Sequence, residues 1–291
     1  MADAVSWCRD RLTPVESLLY QSSLVKVGRF QCGVDDPCFA RTESLDNDVF
    51  VFPRNPLWFR RGSGQYRFAE PGGVLMHRAG GTIERQRASD HGDNAYWFGV
   101  RPDVFIETLQ RHGLSISKMG DALVADSRLR SRVLMLMQQI ETDVTPRLDI
   151  EEQVLALFFD FCLQRSDHHD PSEPTRTHTA ARRRRIVNDA RAFVNAHLAD
   201  DVSLDTIARA SGTSLYHLCR VFRDQTGMTL HTYRMRQRVG HALDRLAAGH
   251  DDSLTELAYS AGFSSHSHLS RVFRSQLGMP PSRFRAVAAR R

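Results

Sequence analysis

Short apolar runs separated by polar breakers fill the first hundred residues, and a three-to-four-residue period follows them. Apolar-rich clusters recur at Leu24–Val27, Val49–Phe52, Trp58–Arg60, Tyr66–Phe68, Val74–His77 and Tyr96–Val100. Between them lie Asp35-Asp36-Pro37, Asn55-Pro56, Gly62-Ser63-Gly64, Pro71-Gly72-Gly73 and Gly80-Gly81. Closely spaced short strands with Gly-rich turns predict a sandwich or a barrel. Residues 1–20 read as a short helical lead-in. After Val100 the period becomes helical. Pro102 opens a helix to about His112. Asp126–Glu141 sets Leu129, Val133, Met137 and Ile140 on one stripe with Leu136 beside them, and Ile150–Gln164 does the same with Val154, Leu157, Phe158 and Phe161. Two consecutive amphipathic helices predict a helical hairpin.

Ser166–Ala181 carries two prolines and no large apolar anchor, so it reads as a linker. Beyond it, one pattern occurs twice. In Ser253–Arg285, Ser253 and Glu256 form an S-x-x-E capping box, Gly262 supplies a tight turn, Ser265 caps a second helix and Gly278 stops it. Ser203–Arg234 repeats this. Leu204, Ala208 and Gly212 match Leu254, Ala258 and Gly262, and Leu218, Arg220, Val221, Phe222, Arg223, Gln225, Gly227, Met228 and Arg234 match the stretch from Leu269 to Arg285. Two copies make a paired unit, not a solenoid. Thr229–Ala248 reads as one helix joining them.

These residues carry a resemblance. Gly262-Phe263-Ser264, Ser267–Phe273, Gly278, Pro281, Phe284 and Arg285 resemble the second helix-turn-helix of AraC/XylS-type bacterial transcription regulators. Ile207-Ala208, Ser214, Leu218, Arg220, Phe222 and Gly227 resemble the first, and Tyr233, Arg238, Ala242 and Leu246 the linking helix. The similarity covers residues 182–291. It implies an α+β multidomain chain: a cupin-like β-barrel with the helical hairpin over 1–165, for effector sensing and dimerisation; a linker over 166–181; and an all-α DNA-binding domain over 182–291, with motifs at about 204–226 and 254–277. It also implies a sequence-specific regulator, commonly an activator, that works with RNA polymerase, responds to a small-molecule effector and forms a homodimer.

Charge agrees with this division. Residues 182–291 hold 18 Arg, no Lys and 9 acidic side chains, while the first 165 hold 20 basic and 22 acidic ones. A basic module joined to a near-neutral one binds a polyanion. By charge alone that is RNA, DNA or a membrane surface; the tandem motif selects double-stranded DNA. No run of eighteen apolar residues predicts a membrane span, and the N-terminus lacks a signal pattern. Cys8, Cys32, Cys38, Cys162 and Cys219 are odd in number and scattered, as in a reducing cytoplasm.

Catalytic chemistry finds no foothold. Paired carboxylates, a nucleophile elbow and a phosphate loop are absent, and Asp90-His91-Gly92-Asp93 reads as a turn. The H-x-H plus Glu cluster of a metal-binding cupin is missing, and His77 and His91 stand isolated. The sequence therefore predicts no enzyme, no metal and no cofactor. Arg54, Trp58, Tyr66 and Trp97 are candidates for an effector pocket in a barrel mouth, with Arg60 and Arg61 as further anion partners; for each taken singly, core or solvated surface is the stronger reading. Two rival readings stay open: a cupin-type metalloenzyme with an appended nucleic-acid-binding module, and an effector-independent architectural DNA binder.

The candidate DNA contacts follow from helical phase. The first recognition helix presents Tyr216, His217, Cys219, Arg220 and Arg223 opposite Leu218, Val221 and Phe222; the second presents His266, Ser267, Ser270, Arg271 and Arg274. Arg220 and Arg271 hold equivalent places and suit bidentate pairing to guanine. Arg223 and Arg274, one turn on, suit phosphate. Arg182–Arg185 read equally as phosphate grips or a solvated face.

Overall fold

The computed structural model describes residues 15–37, 39, 42–44, 48–111, 122–123, 127–142, 147–166, 178–250 and 252–289. The expected lead-in over residues 1–14, most of the linker, Cys8 and Cys38 lie outside them. The chain packs as two units. One comprises Met1–Val124 with Gln139–Pro174, the other Ala125–Gln138 with Thr175–Arg291.

Among the described residues of the first unit, ten strands form two antiparallel sheets. One takes the order β1 (Glu16–Gln21), β2 (Val25–Cys32), β9 (Asp93–Val100), β4 (Val49–Pro53), β7 (Val74–His77), β10 (Ala122–Leu123). The other is β3 (Glu43–Ser44), β8 (Thr82–Arg87), β5 (Leu57–Arg61), β6 (Arg67–Ala69). Among the described residues neither sheet pairs with the other, so a closed barrel does not form and the barrel expectation is corrected to two facing sheets. Between them lie Phe30, Leu75 and Trp97 from one sheet and Leu57, Phe59, Ala69 and Ile83 from the other. Gly28 stands opposite Trp97 because a Cβ there would lie 2.3 Å from the indole carbons Cε2 and Cζ2.

The opposite face of the larger sheet is covered by helices. Phe50 meets Phe105 of α1 (Pro102–Arg111) and Phe158 and Phe161 of α3 (Arg147–Ser166), with ring centroids 4.6–6.1 Å apart. With both faces buried, β9 loses the alternation of a half-exposed strand. Residues 16–21 pair with β2 as an edge strand, which corrects the helical reading of that stretch.

The second unit is helical: α4 (His178–Ala196), α5 (Leu204–Ala210), α6 (Leu215–Thr226), α7 (Leu230–Ala247), α8 (Leu254–Ser260), α9 (His266–Leu277) and α10 (Pro281–Ala288), joined by the first part of α2 (Ser127–Thr142). Ile186, Ala190 and Val194 of α4 pack with Ile207, Leu218, Val221, Phe222, Leu230 and Tyr233 in one core. Helix α4 starts four residues before Arg182, inside the stretch read as linker. Helix α7 runs unbroken between the two motifs, as its periodicity predicted.

Candidate nucleic-acid interface

Local chemistry sets each motif. Ser203 Oγ accepts from Thr206 N, and Ser253 and Glu256 close a full capping box, so α5 and α8 start at fixed residues. Gly212 (φ 63°) and Gly262 (φ 79°) turn the chain in the left-handed region that a Cβ disfavours. Ser214 and Ser265 then cap α6 and α9 by accepting from His217 N and His268 N. Gly227 and Gly278, again left-handed, end both helices.

These caps aim one face of each helix outward. Leu218, Val221 and Phe222 of α6, and Leu269 and Phe273 of α9, are buried. Tyr216, Cys219, Arg220 and Arg223 are exposed, Tyr216 by 78%, with His217 half-buried beside them. On α9, His266, Ser267, Arg271 and Arg274 are exposed, and Ser270 is half-buried, sharing a 3.1 Å hydrogen bond with His266. Among the described residues none of Arg220, Arg223, Arg271 and Arg274 joins an ion pair. Each helix thus offers an unneutralised guanidinium fork beside hydroxyl and imidazole groups, a set able to donate to base edges and phosphate oxygens.

Other arginines serve the frame. Arg234 Nη1 donates to Val202 O at 3.0 Å and Arg285 Nη2 to Asp252 O at 2.7 Å. They are repeat-equivalent, and each ties the helix after its motif to the residue before the motif's cap. Arg238, 7% exposed, donates from Nε to Leu198 O at 2.9 Å and from Nη2 to Asp200 O at 3.2 Å. Burial, with Arg234 nearby, pulls its guanidinium down to about 10. Gly262 nests on the same place: a Cβ there would lie 2.6 Å from Leu198 O and 2.7 Å from Arg238 Nε. The turn of the second motif therefore rests on the loop that opens the first. The resemblance marked Arg238 on the linking helix, but its spacing gave no sign of this clamp, whose acceptors are backbone carbonyls of a loop distant in the chain. His268 is held below its ordinary value by burial and then by Arg271, Arg238 and His231, and its Nδ1 meets Ser264 Oγ at 3.1 Å.

The match to known proteins is concentrated here. A helix-turn-helix domain family matches residues 207–286. The chain is 34% identical over 102 residues to "Probable transcription factor PqrA" of Proteus vulgaris, covering 34% of this chain and 83% of that protein. It is 32% identical over 101 residues to "Regulatory protein SoxS" of Escherichia coli (strain K12), covering 35% of this chain and 94% of that one. The chain belongs to the AraC/XylS family of transcription regulators. A third relative, "HTH-type transcriptional activator RhaS" of Enterobacter sp. (strain 638), is 35% identical over 103 residues; the match covers 34% of this chain and 37% of RhaS. Each of the three matches covers about a third of this AraC/XylS chain.

The four effector candidates fall in separate places. Trp58 and Tyr66 lie on the face of the smaller sheet turned away from the core: Trp58 meets Phe68 edge-on at 5.3 Å, and Tyr66 lies under Arg60, which is ion-paired to Glu84. Trp97 is buried between the sheets. Arg54 sits against Tyr96, donating to its hydroxyl at 3.0 Å, on the helix-covered face of the larger sheet. The expectation that these four line one pocket is thus corrected: successive strand residues point to opposite faces, and the strand registers separate them. Arg61 Nη2 reaches Met76 O at 2.5 Å. Of Asp90-His91-Gly92-Asp93, the first three form the expected turn, whereas Asp93 begins β9 and pairs with Arg85 at 2.7 Å, both side chains under a tenth exposed. A cavity of about 10 Å³, room for one water-sized sphere, lies between the larger sheet and α3, lined by Phe50, Phe52, Phe98, Phe158 and other apolar side chains.

No helix among the described residues is long and apolar enough to cross a membrane.

Proposed function

We propose that this regulator reads two unlike subsites of duplex DNA, α6 entering one major groove and α9 the next. The observation that carries this reading is the pair of exposed, repeat-equivalent helix faces with unpaired Arg220 and Arg271 at their centres. Arg220 and Arg271 read guanine; Arg223 and Arg274 meet phosphate; Tyr216, His217, Cys219, His266, Ser267 and Ser270 fill the groove floor. Helix α7, with 18 residues, spans roughly 27 Å at 1.5 Å per residue, and the recognition helices reach past its ends toward the ~34 Å between successive groove faces.

In this reading the chain is a transcription activator, as RhaS is by name; it works in the cytoplasm and contacts RNA polymerase. The first 165 residues sense a small molecule and pair two copies. The two facing sheets of this part support a cupin-like double sheet, and the exposed thiol of Cys219 fits a reducing compartment.

The test is a selection of genomic DNA fragments on the full-length protein, followed by footprinting at several salt concentrations. The expected footprint covers about two helical turns, and affinity falls steeply with salt as counterions are released. Folded protein that selects no fragment, or binds with no salt dependence, overturns the reading.

A further inference from the structure

Gly240 sits inside α7, where a helix gains nothing from a residue without a Cβ and bends most easily. Its neighbour explains it. Arg130 of α2, 8% exposed, lays its guanidinium across this glycine: a Cβ there would fall 2.7 Å from Arg130 Cζ, with Nη1 closer still. One turn further along α7, Asp244 receives the fork, Nη2 on Oδ2 and Nε on Oδ1 at 3.4 Å. The pair is mostly buried, at 10% and 23% side-chain exposure, so solvent screens it weakly.

The segment that carries Arg130 is fastened at other points. Ser127 Oγ meets Gln276 Oε1 at 2.5 Å, and Arg128 Nε donates to Gln276 O at 3.3 Å in the last turn of α9. Gln138 Nε2 donates to Ala288 O at the end of α10. Residues 127–138 therefore belong structurally to the helix-turn-helix unit, although residues 139–174 of the other unit separate them from the rest of it in the chain.

We propose that Arg130 is a positioning residue for DNA recognition. Seated on Gly240 and held by Asp244, it splints the connector at its weakest point. It thereby fixes the distance and rotation between α6 and α9, and so the subsite spacing that the protein accepts. This rests on the proposed reading that both helices enter the groove. Arg130 itself touches no DNA; it acts through α7.

The experiment measures affinity of the full-length protein for its selected site and for the same site with one, two or five base pairs inserted between the subsites. One inserted pair moves a subsite by about 3.4 Å and about 35°, and wild-type affinity is expected to fall at least about tenfold. Arg130→Ala is expected to flatten this profile, losing about threefold or less per inserted pair, because a flexible connector follows the displaced subsite. Arg130→Gln keeps the side chain's bulk without its charge and gives the same test if the alanine variant folds poorly. A merely structural role lowers affinity by one factor at every spacing. Variant profiles parallel to the wild-type profile overturn the proposal and leave two-subsite reading intact; a flat wild-type profile overturns both.

Discussion

Gly262 and Gly212 stand at equivalent turns, and replacing each by alanine separates backbone strain from packing. Both residues are left-handed, at φ 79° and 63°, so both substitutions place a Cβ in a conformation costing about 1–2 kcal/mol, partly offset by a less flexible unfolded chain. At Gly212 nothing lies within 4 Å of the new Cβ, and the expected loss is about 1 kcal/mol. At Gly262 the Cβ would meet Leu198 O at 2.6 Å, Arg238 Nε at 2.7 Å and Ala199 Cα at 2.9 Å. Two of these are backbone atoms, and the third is the donor of the 2.9 Å bond to Leu198 O. The methyl wedges donor from acceptor, and losing a charged hydrogen bond adds about 1.5–3 kcal/mol. The total is roughly 2.5–4 kcal/mol. Amide hydrogen exchange in α5–α9 of the full-length protein reads this as local opening. A difference of about 1.5–3 kcal/mol corresponds to protection about 10- to 150-fold lower in Gly262→Ala than in Gly212→Ala. Equal protection in the two variants would refute the clamp and reduce both glycines to backbone requirements.

Two further outcomes are expected. Arg271→Ala should weaken binding by about 1–3 kcal/mol at one base pair and relax preference there, whereas Arg274→Ala should weaken all sequences alike and lower the salt slope by about one; a binding titration over single-base variants and salt distinguishes them, and equal effects everywhere contradict the assignment. His241 is held below its ordinary value by burial first, then by Arg130 and Arg245, against Asp244. Its folded value lies below its unfolded one, so its contribution is complete above about pH 6.5 and is lost as pH falls through the folded value. Exchange protection of α7 should drop on acidification from pH 7 to 5, and His241→Gln should remove part of that drop; an unchanged pH profile would show that this imidazole does not titrate on folding.

The second unit was legible because its determinants are local. A serine caps a helix three residues away, and a glycine ends one within a turn, so Ser253, Glu256, Gly262 and Gly278 could be placed from spacing alone. The first unit hides its determinants in register. Strand β8, Thr-Ile-Glu-Arg-Gln-Arg, carries one apolar residue, and its buried Arg85 is explained by partners on other strands, among them Asp93 and the ring of Phe30. The pocket inferred from Arg54, Trp58, Tyr66 and Trp97 failed for the same reason, since residue type does not say which side of a sheet a side chain faces. The stripe on α2 was read correctly as a buried face, but a stripe does not name its partner. Its first half packs with the helix-turn-helix unit.

The connector α7 has a mechanical consequence. Leu230 and Tyr233 at its start sit in the core of the first motif, and the rest of the helix runs on against α8, α9 and α10. One helix is thus a wall of both halves. Neither half can melt while the other keeps all its walls, so the duplicated motifs, though each has its own caps and its own arginine tie, form one cooperative unit that folds and fails together.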